Sequence, residues 1–296
     1  MPLTKFLKNK GLHSQKKINY SFFPGCSLKT SGHENTLSLL NFCKSVNIEL
    51  IELDDWNCCG SSSAHSVDHK VAVNLPFRNL SLAPANMPLL IACPSCLIRM
   101  KQAHLNLKKD KSLRLKYQQD WGVPFNPNLE IIHFFEIFNR INLSDYIENS
   151  HDQLNKIKVA PYYGCMLSMP PDLRFEPNYS GIMEKTLTKL GADIIPFGYG
   201  TKCCGTYLSV AKPKLAEKII NKIVLNAMQF GAECLVTACS MCHLNIEIRC
   251  TIKNPIPTFH FSELLSMALG AENQKKWFPR HIVDPVPLLK KRNLLK

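Results

Sequence analysis

Cys58 and Cys59 stand side by side in the stretch WNCCGSSSAH, with Gly60 next. Neighbouring Cα atoms lie about 3.8 Å apart, closer than the roughly 4.4–6.8 Å that a disulfide spans. The two thiols are therefore unsuited to bonding each other. In the first half Cys26 comes first, Cys58-Cys59-Gly60 next, and Cys93-Pro94-Ser95-Cys96 last. In the second half Cys165, Cys203-Cys204-Gly205 and Cys239-Ser240-Met241-Cys242 follow the same order at nearly the same intervals. The pattern C…CCG…CxxC thus occurs twice and takes ten of the thirteen cysteines.

Five converging thiols admit three chemistries. A structural zinc takes four ligands, often from CxxC pairs; each repeat has one CxxC, and a fifth cysteine is one too many. A thioredoxin-like CxxC pair leaves Cys26, Cys58 and Cys59 without a role. An iron–sulfur centre uses thiolate ligands, and a centre of several irons can take adjacent cysteines on different irons and a fifth thiolate as a bridge. Spacing favours a polynuclear iron–sulfur site in each half, with zinc and thiol–disulfide redox as the alternatives.

The elements that must bring these thiols together are legible. INYSFF reads as a buried strand leading to Cys26, IELIEL as a second leading to Cys58, PLLIA as a third ending before Cys93 and EIIHFF as a fourth. ENTLSLLNFCKSV has helical apolar spacing, a helical stretch interrupted around Pro76 follows the CCG, and a helix follows Cys96. In the second half KVAPYY, ADIIPF and CLVTA are strands, separated by the helical MEKTLTKL and PKLAEKIINKIVLNAMQF. Alternating strands and helices imply an α/β fold with a parallel, Rossmann-like sheet in each half. The repeat extends to FFPGC and PYYGC, and to HFFE and HFSE. It divides the chain into a basic N-terminal extension (1–17), a first domain (18–145), a second domain (156–270) and a basic C-terminal tail (271–296), with ENSHDQLNK as linker. Each cysteine group follows the carboxyl end of a strand, the edge where open α/β sheets bind ligands. Helices starting there point their positive ends at a negatively charged centre.

Bulk properties narrow the field. The net charge is +13, but Lys5, Lys8, Lys10, Lys16 and Lys17, with seven basic residues after Asn273, hold most of it. The body is near neutral, which is unlike a nucleic-acid-binding surface; the tails read as solvated segments or as docking sites for an acidic partner protein. No apolar run approaches the length of a membrane span, and the N-terminus has no export signal. The expected location is the cytoplasm, where a disulfide framework is disfavoured. No flavin or nucleotide fingerprint is present.

The paired five-cysteine motif resembles the CCG (cysteine-rich domain) family, specifically the B-type subunits of heterodisulfide reductases, over both repeats. LPFRN, from Leu75 to Asn79, adds to the resemblance. It implies two noncubane [4Fe-4S] clusters, one on Cys26, Cys58, Cys59, Cys93 and Cys96, the other on Cys165, Cys203, Cys204, Cys239 and Cys242. It implies a substrate disulfide held between them, each cluster supplying one electron. It implies two partners: a [4Fe-4S] ferredoxin-type protein, the C component of such complexes, and a flavoprotein, their A component. Similar subunits act oxidatively on sulfur carried by a lipoyl protein, and other CCG proteins serve as electron relays of quinone- or organic-acid-linked dehydrogenases. The N-terminal extension and the C-terminal VDPVPLLKKRNLLK have no counterpart in this pattern.

The remaining candidates carry plainer expectations. Cys43 and Cys234 read as core fillers, and Cys250 is ambiguous. His133 and His260, equivalent in the repeats, read as structural hydrogen-bonding residues. His65, His69 and His243 are candidate proton donors to a leaving thiolate. Gly60 and Gly205 permit tight turns or close backbone approach, and Pro94 shapes the loop between two ligands. The basic run 107–117 reads as a solvated helix face.

Overall fold

The structure, a computed structural model, describes residues 17–61, 64–147, 153–167, 179, 181–270 and 277–295. The first half runs β1 (Ile18–Phe23), α1 (Gly25–Lys29), α2 (His33–Ser45), β2 (Ile48–Glu52), α3 (Ala64–Val67), α4 (His69–Ser81), β3 (Leu89–Ile91), α5 (Pro94–Lys109), α6 (Lys111–Trp121) and β4 (Ile131–His133). The second runs β5 (Lys158–Tyr162), α7 (Ile182–Lys189), β6 (Asp193–Ile194), α8 (Pro213–Gln229), β7 (Cys234–Thr237), α9 (Ser240–Arg249), β8 (Thr258–His260) and α10 (Phe261–Ala268), with α11 (Val286–Lys291) beyond. The expected α/β class holds: each half has one four-stranded sheet, ordered β2-β1-β3-β4 and β6-β5-β7-β8, and every pairing is parallel.

The central strands are short and largely apolar because helices cover both faces of a parallel sheet. Leu89, Leu90 and Ile91 are all fully buried, as are Leu235 and Val236. β1 and β3 are paired neighbours, yet the chain leaves β1 toward β2 on one side and reaches β4 from β3 on the other. That reversal opens a crevice at the carboxyl ends of the two central strands. β5 and β7 repeat it in the second half.

The halves pack on each other through small side chains. Ser38 of α2 and Ser262 of α10 share a hydrogen bond of 2.7 Å, and Ser266 Oγ donates to the Ser38 carbonyl at 2.6 Å. Serines at these positions let two helix backbones approach closely. Beside them Phe261 meets both Phe134 and Phe135 edge to face, its centroid 5.3 Å from that of Phe135, so one continuous core crosses the boundary.

Three expectations are corrected. The interruption placed at Pro76 lies instead at Asp68, whose carboxylate accepts from the amides of Lys70 and Val71 and caps α4; such caps are worth about 1 kcal/mol. α4 then runs through Pro76, and Asn57 Nδ2 binds the Leu75 carbonyl from outside the helix at 3.3 Å. Pro94 is the first residue of α5, where its missing N–H costs nothing, so Cys96 lies inside the helix that was expected after it. The C-terminal tail is not solvated throughout: Trp277, Phe278 and Leu289 are buried, and Arg292 Nε donates to Glu233 at 2.8 Å. The N-terminal extension to residue 16 and linker residues 148–152 lie outside the described residues.

Candidate functional site

Equivalent elements position the two sets of thiols. Cys26 is the second residue of α1, just past β1; Cys93 caps α5 and Cys96 sits in its first turn. Cys165 lies shortly past β5; Cys239 caps α9 and Cys242 sits in its first turn. Gly60 and Gly205, at φ +76° and +75°, turn the chain directly after each vicinal pair, as expected of glycine. Within each pair one thiol points inward and the other outward. Cys59 and Cys204 are buried, whereas Cys58 is half-buried and Cys203 exposed.

All ten cysteines line a single cavity of about 440 Å³ between the halves. Their contacts form an ordered series. Cys26 meets Cys58 at 3.9 Å and Cys59 meets Cys96 at 3.1 Å; Cys58 touches Cys59, and Cys96 touches Cys93. The second half repeats the order: Cys165, Cys203, Cys204, Cys242, Cys239. Cys93 and Cys239 touch where the two series join.

The donor set tests the fit to a metal–sulfur group. Hydrogen bonding with Cys58 and Cys96 brings Cys59 down to about 5, and that with Cys165 and Cys204 brings Cys203 down to about 2. Their neighbours Cys26, Cys96, Cys165 and Cys242 are pushed up in turn. Crowded sulfurs thus share protons, and full ionisation of either set calls for positive charge among them. The backbone makes room on the same side. A Cβ at Gly25 would lie 3.0 Å from Cys96 Sγ, and one at Gly164 3.1 Å from Cys242 Sγ, both at positive φ. Five sulfurs per half, backed by a glycine that only a missing Cβ allows, fit a multi-iron cluster better than one tetrahedral ion.

The histidines fall elsewhere. His133 Nε2 bonds the Ala92 carbonyl at 3.1 Å and its Nδ1 accepts from Phe135 N; His260 bonds Ser262 at 2.7 Å and the Ala238 carbonyl. Each ring therefore ties β4 or β8 to the residue preceding a CxxC, as the structural expectation had it. Burial holds them neutral, down to about 3 and about 4. His69 is exposed and His243 is buried on α9, and neither lines the cavity; the His65 side chain lies outside the described residues. The two histidines thus do not meet the expected proton-donor role. The polar lining is hydroxyl instead, and it was missed because lone serines and tyrosines give no spacing signal. Ser61 and Tyr207, each shortly after a CCG, meet across the cavity at 3.1 Å, and Ser27 Oγ donates to Met241 Sδ at 2.7 Å. Cys43 and Cys234 are core fillers, fully buried, and Cys250 is half-buried at the end of α9. The basic run 107–117 straddles α5 and α6 and contributes no lining residue.

The cysteine-rich domain family, CCG, matches residues 20–101 and 159–247. The chain is 28% identical over 280 residues to the 8-methylmenaquinol:fumarate reductase membrane anchor subunit of Wolinella succinogenes, covering 91% of this chain and 98% of that protein. It is 25% identical over 293 residues to the ferredoxin:CoB-CoM heterodisulfide reductase B subunit of Methanosarcina mazei, covering 92% and 96%. The fold resembles the crystal structure of a hypothetical protein from Helicobacter pylori, with TM-score 0.69 at 13% identity; the match covers 91% of this chain and spans about half, 52%, of that one. Two matched copies take up more than half the sequence, and they meet at the cavity that all ten motif cysteines line: the chain belongs to the CCG cysteine-rich domain family.

Proposed function

We propose that this protein is the iron–sulfur, electron-transferring subunit of a heterodisulfide reductase-like complex, an oxidoreductase that interconverts a disulfide and two thiols. The observation that carries the reading is the gathering of both five-cysteine sets on one cavity. Cys26, Cys58, Cys59, Cys93 and Cys96 would hold one noncubane [4Fe-4S] cluster, and Cys165, Cys203, Cys204, Cys239 and Cys242 the other. When bound, the clusters supply one electron each and a metal for each departing sulfur. The two halves that carry them correspond to residues 18–145 and 156–270.

The chain's own residues do the rest. The cavity wall is mostly sulfur, Met166, Met241 and Val210 beside a few hydroxyls, a lining suited to an apolar S–S bond. Cleavage consumes two electrons and two protons and releases two thiols. The hydroxyls of Ser61 and Tyr207, already hydrogen-bonded to each other, stand where a proton can be passed to a leaving sulfur. Electrons enter from a [4Fe-4S] ferredoxin-type protein of the C type, fed by a flavoprotein of the A type. Among the described residues no helix is long and apolar enough to cross a membrane.

A second reading rests on the likeness to the Wolinella protein: an electron relay of a quinone- or organic-acid-linked dehydrogenase, with no disulfide chemistry. A related variant acts on sulfur carried by a lipoyl protein. Anaerobic purification with iron, sulfide and zinc analysis tests the common core, with about eight irons per chain expected. Zinc in place of iron, without acid-labile sulfide, overturns it. EPR of the oxidised protein with candidate thiols then separates enzyme from relay: a thiol that changes a cluster signal supports the enzyme, and silence toward every thiol favours the relay.

A further inference from the structure

Behind α9, away from the cavity, three side chains aim polar atoms at one point. They are His243 Nε2, Glu247 Oε1 and His281 Nδ1, all buried and none with a hydrogen-bond partner. His281 Nδ1 lies 3.3 Å from Glu247 Oε1, and His243 Nε2 lies 3.8 Å from the same oxygen. All three atoms fall within 4.8 Å of one another. Their side chains are 2%, 5% and 0% exposed for His243, Glu247 and His281.

The other polar atom of each group is already committed. His243 Nδ1 bonds Asn35 Oδ1 at 3.1 Å, and His281 Nε2 bonds Glu263 Oε1 at 2.9 Å. Glu247 Oε2 accepts from the Ile282 amide at 3.1 Å. Since Asn35 Oδ1 can only accept, His243 carries its proton on Nδ1 and turns a lone pair inward from Nε2. His281 Nε2 donates to the Glu263 carboxylate and its Nδ1 faces Glu247 Oε1, an ion pair when the ring is protonated, so a metal there takes the place of the Nδ1 proton. Ring nitrogens fixed by an oxygen on their far side are the usual support of metal-ligating histidines.

Lone pairs converging in a buried site need positive charge between them. One proton shared by His281 and Glu247 bridges that pair, but it leaves His243 Nε2 unpaired. A divalent ion satisfies all three atoms together, with its fourth position left to a water molecule. Tetrahedral zinc with N and O ligands at about 2.0–2.1 Å sets its ligands about 3.3–3.4 Å apart, against the 3.3 and 3.8 Å found.

We propose that His243, Glu247 and His281 form a zinc-type metal site, separate from the cysteine cavity, that fastens the C-terminal segment to α9. His243 and Glu247 lie one turn apart on α9, and His281 follows the buried Trp277 and Phe278, so a metal there would tie two stretches of chain that no strand joins.

The test uses the full chain, purified anaerobically with its iron in place, equilibrated with zinc chloride and desalted. About one zinc per chain is expected, and zinc-edge X-ray absorption should show a shell of nitrogen and oxygen only. Glu247→Gln and His281→Gln should each cut retained zinc at least tenfold with the iron content unchanged, which also reports that the chain has folded. Zinc well below one per chain in the wild type, or a sulfur shell at about 2.3 Å, overturns the proposal, and the wild-type measurement stands without any variant. Iron content reads the cysteine sites independently, so failure of one site does not mimic failure of the other.

Discussion

A methyl group added at Gly25 would sit 3.0 Å from Cys96 Sγ, and one at Gly164 3.1 Å from Cys242 Sγ. Each glycine also holds a positive φ, which costs an L-residue about 1–2 kcal/mol. Gly25→Ala should therefore lower iron per chain by about half, through the first set alone, and Gly164→Ala should do so through the second. Cys59→Ser and Cys204→Ser should divide the EPR signals in the same way; loss of both signals from one substitution would argue against two separate sites. His133 and His260 give a pH dependence. Their folded values, about 3 and about 4, lie below the roughly 6.5 of an unfolded chain. The stability tied to their neutral rings is complete above that value and drains away as pH falls toward 4 and 3. The urea midpoint should fall from pH 7 to pH 5, and fall less steeply in His260→Gln. At this scale the ten cysteines were legible because they repeat at matched spacing. Gly25 and Gly164 were not, because their importance lies in a sulfur far along the chain.

Among the elements, the α2–α10 contact decides how the halves sit. Ser38, Ser262 and Ser266 keep the two backbones close. Ser38→Leu should overpack this seam, at a cost of about 1–3 kcal/mol, lowering the thermal midpoint and loosening iron from both sets together, in contrast to the one-sided glycine variants. Most strands and the helices between them could be read from the sequence, since buried parallel strands and amphipathic helices leave local marks. The pairing of α2 with α10 could not: it joins residues from opposite ends of the chain and has no period. Pro76 misled because a proline removes only one helix bond, and α4 has its own cap at Asp68.

For the whole molecule, the cavity is the shared possession of both halves. Val210 lines it and is 93% exposed, so it stands at the mouth. Under the proposed disulfide chemistry, Val210→Trp should leave iron content intact and raise KM for a disulfide substrate several-fold; unchanged kinetics would place the substrate route elsewhere. The duplication was plain from the sequence, but it does not say that the copies face each other. The docking of the C-terminal segment was also hidden, because its net charge outweighed Trp277, Phe278 and Leu289 in a reading by composition.

The touch between Cys93 and Cys239 has a consequence for synthesis. Roughly 150 residues separate Cys96 from Cys242, and at ribosomal speeds that interval lasts on the order of ten seconds. Throughout it the first five thiols are made and the wall that will cover them is not. The newborn chain passes through a stage in which a half-built sulfur cradle stands open to oxidants and stray ions, and the second repeat is the lid that ends it.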